Sequence, residues 1–264
     1  MIAQEGKALS FWQDAKIPGG LDVGQTDWFE SLDDVKTRTA REAKALQGAK
    51  GDRKLAALMQ DCLDGHYSCG LPSCAVCMRE YRRWLTAQML RLNRHAESRC
   101  VATIYLCKVP VGELAAVSLS DLHGALRGTL RRAGLGRAAV IGGTELNYDA
   151  QSSTWLLHIH ALMLNAVPAQ LEVLRKRLAR RMKRALVVES LNDPIRQLSY
   201  CQKFATYHRP GRRDGARRQR AYPLPLAVRV EILRFYGAHE PDDFLFLQGV
   251  RRHGSRLKRL HRGT

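Results

Sequence analysis

The sequence predicts an α+β fold, and three observations carry that expectation. Apolar runs of strand length occur at 100–107, 138–146 and 154–164. The short polar segment 147–153 between the last two reads as the turn of an antiparallel hairpin. Around them, apolar residues recur every three to four positions, as in Tyr81, Trp84, Leu85, Met89 and Leu92, which is the spacing of a helix buried on one side. A chain of 264 residues is long enough to bury a core in one large domain or two small ones.

The formal charge of +18 narrows the partners to polyanions. No apolar run reaches the length that spans a bilayer, so nucleic acid rather than membrane is the expected partner. The first twenty residues lack the charged-then-apolar pattern of a signal peptide. With seven cysteines, an odd number, the expectation is a reducing cytoplasm and thiols that are free or bind metal.

In chain order, a helix is expected from Thr26 or Asp27, as N-cap, to about Lys44. Gly48 to Gly51 reads as a break and 53–63 as a second helix, so that 1–60 form a helical arm with no role in a site. Residues 61–98 hold a cysteine cluster and a helix. Four cysteines and His66 fall within the sixteen residues 62–77. Cys74-x2-Cys77 lets two thiolates reach one tetrahedral zinc from a tight turn, and Cys69 precedes them by five positions. Either His66 or Cys62 could complete the set, and His66 is preferred because His66-x2-Cys69 is another short ligand spacing. A closed site of this kind holds Zn2+ structurally, stapling a stretch with few apolar residues.

The helix at 78–98 carries arginines 79, 82, 83, 91 and 94. The strand at 100–107 is ended by Pro110, and Ser118 or Ser120 caps the helix that runs to Leu130. In the run 154–164 two histidines stand two residues apart, so His158 and His160 share a face while Leu157, Ile159 and Ala161 share the other. Imidazoles on a covered strand are costly unless something uses them, and a divalent metal is the expected user. The hairpin brings Glu145, on the preceding strand, toward His158 as a third ligand.

Pro168 opens a basic helix with seven Lys or Arg in 175–184, of which Arg175, Lys176, Arg180, Arg181, Lys183 and Arg184 are the expected phosphate contacts. A strand at 186–189 precedes Asp193-Pro194, an N-cap and first-turn proline. In the helix expected from there to Tyr207, Ile195, Leu198, Cys201 and Ala205 make one apolar stripe; Tyr200, Lys203 and Tyr207 fall on the opposite side. A phenol with an ammonium one turn away is a reactive-looking pair, in which the cation either lowers the phenol pKa or stabilises charge developing on a phosphate. The arginine-rich region 211–264, with a helix at 226–236, is expected to be a separate element that grips DNA.

The order of these motifs resembles the HUH endonuclease superfamily, and within it the plasmid-type rolling-circle replication initiators. The matching residues are the threonine-bearing strand at 101–106, His158-Ile159-His160, Tyr200-Cys201-Gln202-Lys203 and the upstream Cys69, Cys74 and Cys77. Three positions depart from the family pattern: Tyr105 replaces the second threonine of Thr-x-Thr, Ala75 a proline of the cysteine cluster, and Phe204 a second tyrosine.

The resemblance implies a central antiparallel sheet with the two-histidine strand in its middle, and a nuclease domain over 99–210. It further implies Mg2+ or Mn2+ on His158, His160 and Glu145, and Tyr200 as nucleophile with Lys203 assisting. The implied activity is nicking and rejoining of single-stranded DNA or an origin hairpin through a 5′-phosphotyrosine link, to start rolling-circle replication. No GxxxxGK[ST] motif occurs, so a host helicase and polymerase are the expected partners. A single-tyrosine transposase or mobilisation relaxase shares this chemistry, and a non-catalytic zinc-dependent nucleic-acid-binding protein shares the composition.

Overall fold

The computed structural model of the chain describes residues 30–48, 52–180, 182–208 and 222–260, to which the structural statements below refer. Three helices come first: α1 (Leu32–Gln47), α2 (Arg53–Leu63) and α3 (Ala75–Asn93). There follow β1 (Arg99–Pro110), α4 (Leu119–Arg132), β2 (Ala139–Asp149), β3 (Thr154–Leu164), α5 (Pro168–Ala179), β4 (Leu186–Ser190) and α6 (Pro194–Ser199). The last elements are β5 (Tyr207–His208), β6 (Tyr222–Pro223), α7 (Leu226–Gly237), β7 (Leu245–Gln248), β8 (Val250–His253) and β9 (Arg256–Arg259).

Five strands form one sheet in the order β4–β1–β3–β2–β7, with every neighbouring pair antiparallel. The fold is therefore α+β, and the two-histidine strand β3 lies at the middle of the sheet. Its neighbours β2 and β1 are eleven and twelve residues long and pair with it along its whole length. Helices cover both faces. Ile159, Ala161 and Met163 pack with Leu126 and Leu130 of α4 and Leu174 and Leu178 of α5. Leu162 and Leu164 belong to a larger cluster that contains Leu85, Met89 and Leu92 of α3 and Ile232 and Leu233 of α7.

Local chemistry moves several boundaries from where the pattern put them. Thr26 and Asp27 lie outside the described residues, and α1 is started by Ser31, whose hydroxyl accepts from the Asp34 N–H at 3.0 Å in a capping box. Helix α3 begins at Ala75 rather than Met78, because the cysteine turn ends there. Of the two serines before α4, Ser118 is the cap, accepting from the Asp121 N–H at 3.3 Å.

Two expectations are corrected outright. The basic run does not form one helical face: α5 stops at Ala179, Arg180 caps it, and only Arg175, Lys176 and Arg177 of the run lie on it. Lys183 and Arg184 sit in the turn leading to β4, with Arg184 at φ 57°, and Arg181 lies outside the described residues. Nor is the C-terminal region a separate element. β7 is an edge strand of the central sheet, and Tyr236, Phe244 and Phe246 are each at most 1% exposed. No helix of the described residues is long and apolar enough to cross a membrane.

Helix α4 is tied to β2 by a buried polar contact, His123 Nε2 to Thr144 Oγ1 at 2.7 Å. Burial, with help from Arg127, pulls the His123 imidazole down from 6.5 to about 4. The unfolded chain then takes up this proton first as pH falls, so stability is complete above about 6.5 and is lost progressively toward pH 4. At 1.36 kcal/mol per unit this group alone costs roughly 3 kcal/mol across that window. Urea denaturation at a series of pH values should show this slope. His123→Gln, which keeps a hydrogen-bonding group but cannot titrate, should flatten it, and equal slopes in the two proteins would refute the assignment.

Candidate functional site

The sheet register decides what the two imidazoles of β3 meet. On one side Glu145 of β2 stands directly opposite His158, with His158 Nε2 3.6 Å from Glu145 Oε2. On the other, Thr103 of β1 stands opposite His160, with Thr103 Oγ1 2.9 Å from His160 Nδ1. Tyr105 is opposite His158, their rings 5.7 Å apart, and immediately after it the β1 register slips by a residue, a bulge of the kind that re-aims side chains beside sites.

Electrostatics follow from this packing. Burial by itself would push the Glu145 carboxyl up. The neighbouring imidazole of His158, then that of His160, and the Lys203 N–H outweigh it and hold the carboxyl below its usual value. Burial pulls the His160 imidazole below its usual value, against the attraction of Glu145. A neutral His160 whose Nδ1 is held by Thr103 keeps Nε2 as its coordinating nitrogen.

The segment carrying the tyrosine and lysine is shorter and more sharply folded than a helix to residue 207. Asp193 caps α6, accepting from the Arg196 N–H at 3.2 Å, and the helix ends after six residues at Ser199. Gln202 then takes a left-handed conformation, φ 64°, so Tyr200 and Lys203 do not share a helix face, Cys201 and Ala205 continue no apolar helical stripe, and Tyr207 falls in β5. Tyr200 and Lys203 meet all the same: the Lys203 Nζ stands 3.8 Å from the centre of the Tyr200 ring.

This turn is pinned to the sheet. The Lys203 N–H donates to Glu145 Oε1 at 2.9 Å, and the fully buried Gln202 donates from Nε2 to the Pro241 carbonyl at 3.1 Å. Beneath Gln202 lies Gly143, where a Cβ would come within 2.4 Å of the Gln202 Cβ. From α3, the buried Arg82 donates through Nη2 to the Ser199 carbonyl at 2.8 Å, one residue before Tyr200.

A cleft of about 370 Å³ results, lined by Thr103, Tyr105, Glu145, His158, His160, Tyr200 and Lys203 among others. A second hollow of about 430 Å³, lined by Glu189, Asn192 and Arg196, also has His160 and Tyr200 in its wall. Arg175, Lys176, Arg180, Lys183 and Arg184 line neither. Sequence reasoning missed Gln202 and Gly143 as positioning residues. The signal for them was the Gly142-Gly143 pair inside a strand, which marks a close approach of another segment.

Among the described residues, the one group of three or more His, Cys, Asp or Glu donors drawn together within 4.8 Å is Cys62, Cys69, Cys74 and Cys77. Their Sγ–Sγ separations include 3.5 Å for Cys62–Cys77, 3.6 Å for Cys69–Cys77 and 3.7 Å for Cys62–Cys74. A tetrahedral zinc with Zn–S of about 2.3 Å needs edges of about 3.8 Å, so the four thiols are compatible with a structural zinc.

The fourth member is Cys62, not His66. Gly65, at φ 80°, ends the α2 region and leaves His66 exposed in the loop. Cys62 lies on the buried stripe of α2 with Ala56 and Met59, a helical spacing that already aimed it inward. The His158, His160 and Glu145 donors are not drawn as tightly as the thiols. Their chemistry, two imidazoles and a carboxylate at the head of a cleft, suits a divalent ion.

No protein-family model matches this chain, and no curated protein and no solved structure is significantly similar to it.

Two outcomes are expected. Cys62→Ser and Cys77→Ser should each lower zinc content by about one ion per chain and lower thermal stability, while His66→Ala should change neither. Elemental analysis of the purified variants reads this directly, and metal loss in His66→Ala alone would restore the histidine as ligand. Gly143→Ala drives a methyl into Gln202 and should destabilise by about 1–3 kcal/mol, the usual cost of overpacking. A thermal midpoint unchanged from the parent would show that the turn yields freely.

Proposed function

We propose that this chain is a metal-dependent endonuclease and strand transferase that nicks and rejoins single-stranded DNA through Tyr200, initiating rolling-circle replication of a plasmid or mobile element. The observation that carries the reading is that Tyr200 and Lys203, His158, His160 and Glu145 all line one cleft, although they come from three separate segments of the chain.

The donors fit a divalent cation by type: one imidazole paired with a carboxylate, the other oriented by a threonine hydroxyl. Mg2+ or Mn2+ held by His158, His160 and Glu145 would supply Lewis-acid withdrawal of charge from a phosphate oxygen. The remaining work falls to the protein. Glu145 performs two tasks, accepting the Lys203 N–H through Oε1 while Oε2 faces His158, so it fixes the tyrosine turn relative to the histidines. The Tyr200 phenol releases its proton to solvent as its oxygen attacks phosphorus and forms the P–O bond. The P–O3′ bond breaks, and solvent returns a proton to the leaving oxygen, which becomes a 3′-hydroxyl. The Lys203 ammonium, held against the ring face, is placed to offset negative charge that develops on the phosphate. The phosphotyrosine conserves the phosphodiester bond energy, so the reverse attack by a 3′-hydroxyl rejoins the strand without a nucleotide cofactor.

Tyr200→Phe removes one oxygen and keeps the ring and its cation contact. It should abolish both nicking and the covalent protein–DNA adduct while binding to single-stranded DNA persists. His158→Ala with His160→Ala should also stop cleavage. Added Mn2+ should restore part of the activity of a single-histidine variant and none of that of Tyr200→Phe. Tyr207→Phe is the control. An adduct on denaturing gels that survives Tyr200→Phe, or metal-dependent cleavage with no adduct at any stage, would sink the proposal.

A further inference from the structure

β8 and β9 form a two-stranded ribbon whose two faces differ in chemistry. The β8–β9 register pairs Val250 with Arg259, Arg251 with Lys258, Arg252 with Leu257 and His253 with Arg256. Cross-strand partners project to the same face, so Val250, Arg252, Leu257 and Arg259 share one side and Arg251, His253, Arg256 and Lys258 the other. The first side is docked. Val250 and Leu257 are buried, Arg252 is ion-paired with Asp242, and its guanidinium lies 4.8 Å from the Trp84 ring. Helix α3 clamps this side further: Trp84 Nε1 donates to the Ser255 carbonyl at 2.7 Å, and the Leu257 N–H donates to Gln88 Oε1 at 3.1 Å.

The second side is exposed and consists wholly of basic residues. Both of its rungs, Arg251 opposite Lys258 and His253 opposite Arg256, set basic groups against each other, an arrangement that destabilises an antiparallel pair. No Asp or Glu occurs anywhere in 249–260, and no carboxylate among the described residues forms an ion pair with Arg251, Arg256 or Lys258. The cationic surface continues into a hollow of about 580 Å³ lined by Arg91, Leu92, His95, Lys258 and Arg259. There burial, then the charge of Arg256, pulls the Arg91 guanidinium below its usual value.

We propose that the outer face of this ribbon, with the adjoining hollow, is a docking surface for the phosphate backbone of duplex DNA, distinct from the cleft that holds Tyr200. Uncompensated like charges on a rigid ribbon are neutralised by a polyanion. The duplex is favoured over a single strand because the ribbon has no Phe, Tyr or Trp to serve as a stacking platform for successive unpaired bases. A two-stranded ribbon is also an element that a major groove, about 12 Å wide, admits. The inference does not depend on the nuclease reading, because it concerns binding at a surface that shares no residue with the cleft.

The test compares the full chain with the variant Arg251→Ala, Arg256→Ala, Lys258→Ala by fluorescence anisotropy over a salt series. The probes are a labelled duplex, labelled oligo(dT) and vesicles rich in anionic lipid. The variant should lose on the order of tenfold or more in duplex affinity, and its log–log salt slope should become shallower by about 2.7, three charges at about 0.9 each. Its affinity for oligo(dT) should change by less than about twofold, and its thermal midpoint should equal or exceed that of the parent, since cross-strand repulsion is removed.

Lys258→Glu guards against a folding artefact. It places a carboxylate opposite Arg251, which supports the ribbon while reversing the surface charge, so it too should weaken duplex binding and leave the thermal midpoint unlowered. Unchanged duplex affinity and slope in both variants overturns the proposal. So does a parallel fall for oligo(dT), which would make the ribbon part of a single-strand path, or a loss confined to vesicles, which would assign the face to a membrane surface.

Discussion

β3 is paired on both edges along its whole length, and the register of those pairings is the constraint on which the remainder of the structure depends. Side chains in a strand alternate with a period of two, so a slip of one residue against β2 would send Glu145 to the face opposite His158. The long apolar stretch around the histidines prevents that slip. Leu157, Ile159, Ala161 and Met163 are all fully buried, and exchanging the faces would bring the imidazoles and Glu145 into a packed core. The core thus fixes the polar cluster, whose energetic cost the surrounding packing offsets.

Glu145 then extends the register into the third dimension. One of its oxygens faces His158 and the other accepts the Lys203 N–H, so a carboxylate on a rigid strand locates a turn some sixty residues further along the chain. Gly143, on the same strand and the same face, provides the room that lets Gln202 press against the sheet. The tyrosine is supported from behind as well, where Arg82 holds the Ser199 carbonyl. Tyr200 therefore owes its position to a strand, a glycine and a helix rather than to the short helix α6 that precedes it.

The thiol cluster enters this framework through α3. Cys74 caps that helix and Cys77 lies in its first turn, while Cys62 reaches it from the end of α2. The same helix carries Arg82 toward the tyrosine turn and Trp84, Gln88 and Arg91 toward the β8–β9 ribbon. The region that a metal would staple is consequently the one from which both the cleft and the basic ribbon are braced. That gives a physical reason for placing a four-thiol site in a loop-rich stretch with few apolar side chains of its own.

The amino-acid sequence by itself determined the elements and the chemistry they carry. Period-two alternation around His158 and His160, the turn expected at 147–153 and the spacing of Cys69, Cys74 and Cys77 are local signals, and each has a local counterpart: the strand, a hairpin that sets Glu145 beside His158 but turns only over 150–153 because Asn147 to Asp149 pair as strand, and three of the four clustered thiols. The tertiary structure decided what depends on contacts distant in sequence. Cys62 rather than His66 joins the cluster because the helix stripe, not ligand spacing, aims the side chain. Tyr200 and Lys203 meet across a left-handed turn at Gln202 rather than along a helix, because a six-residue helix is overridden by packing on Gly143 and a hydrogen bond to Glu145. The C-terminal region joins the central sheet because β2 has an open edge that only a distant strand can cover. Periodicity records how one segment faces a core; it cannot record which other segment completes that core, since this follows from pairing and volume in three dimensions.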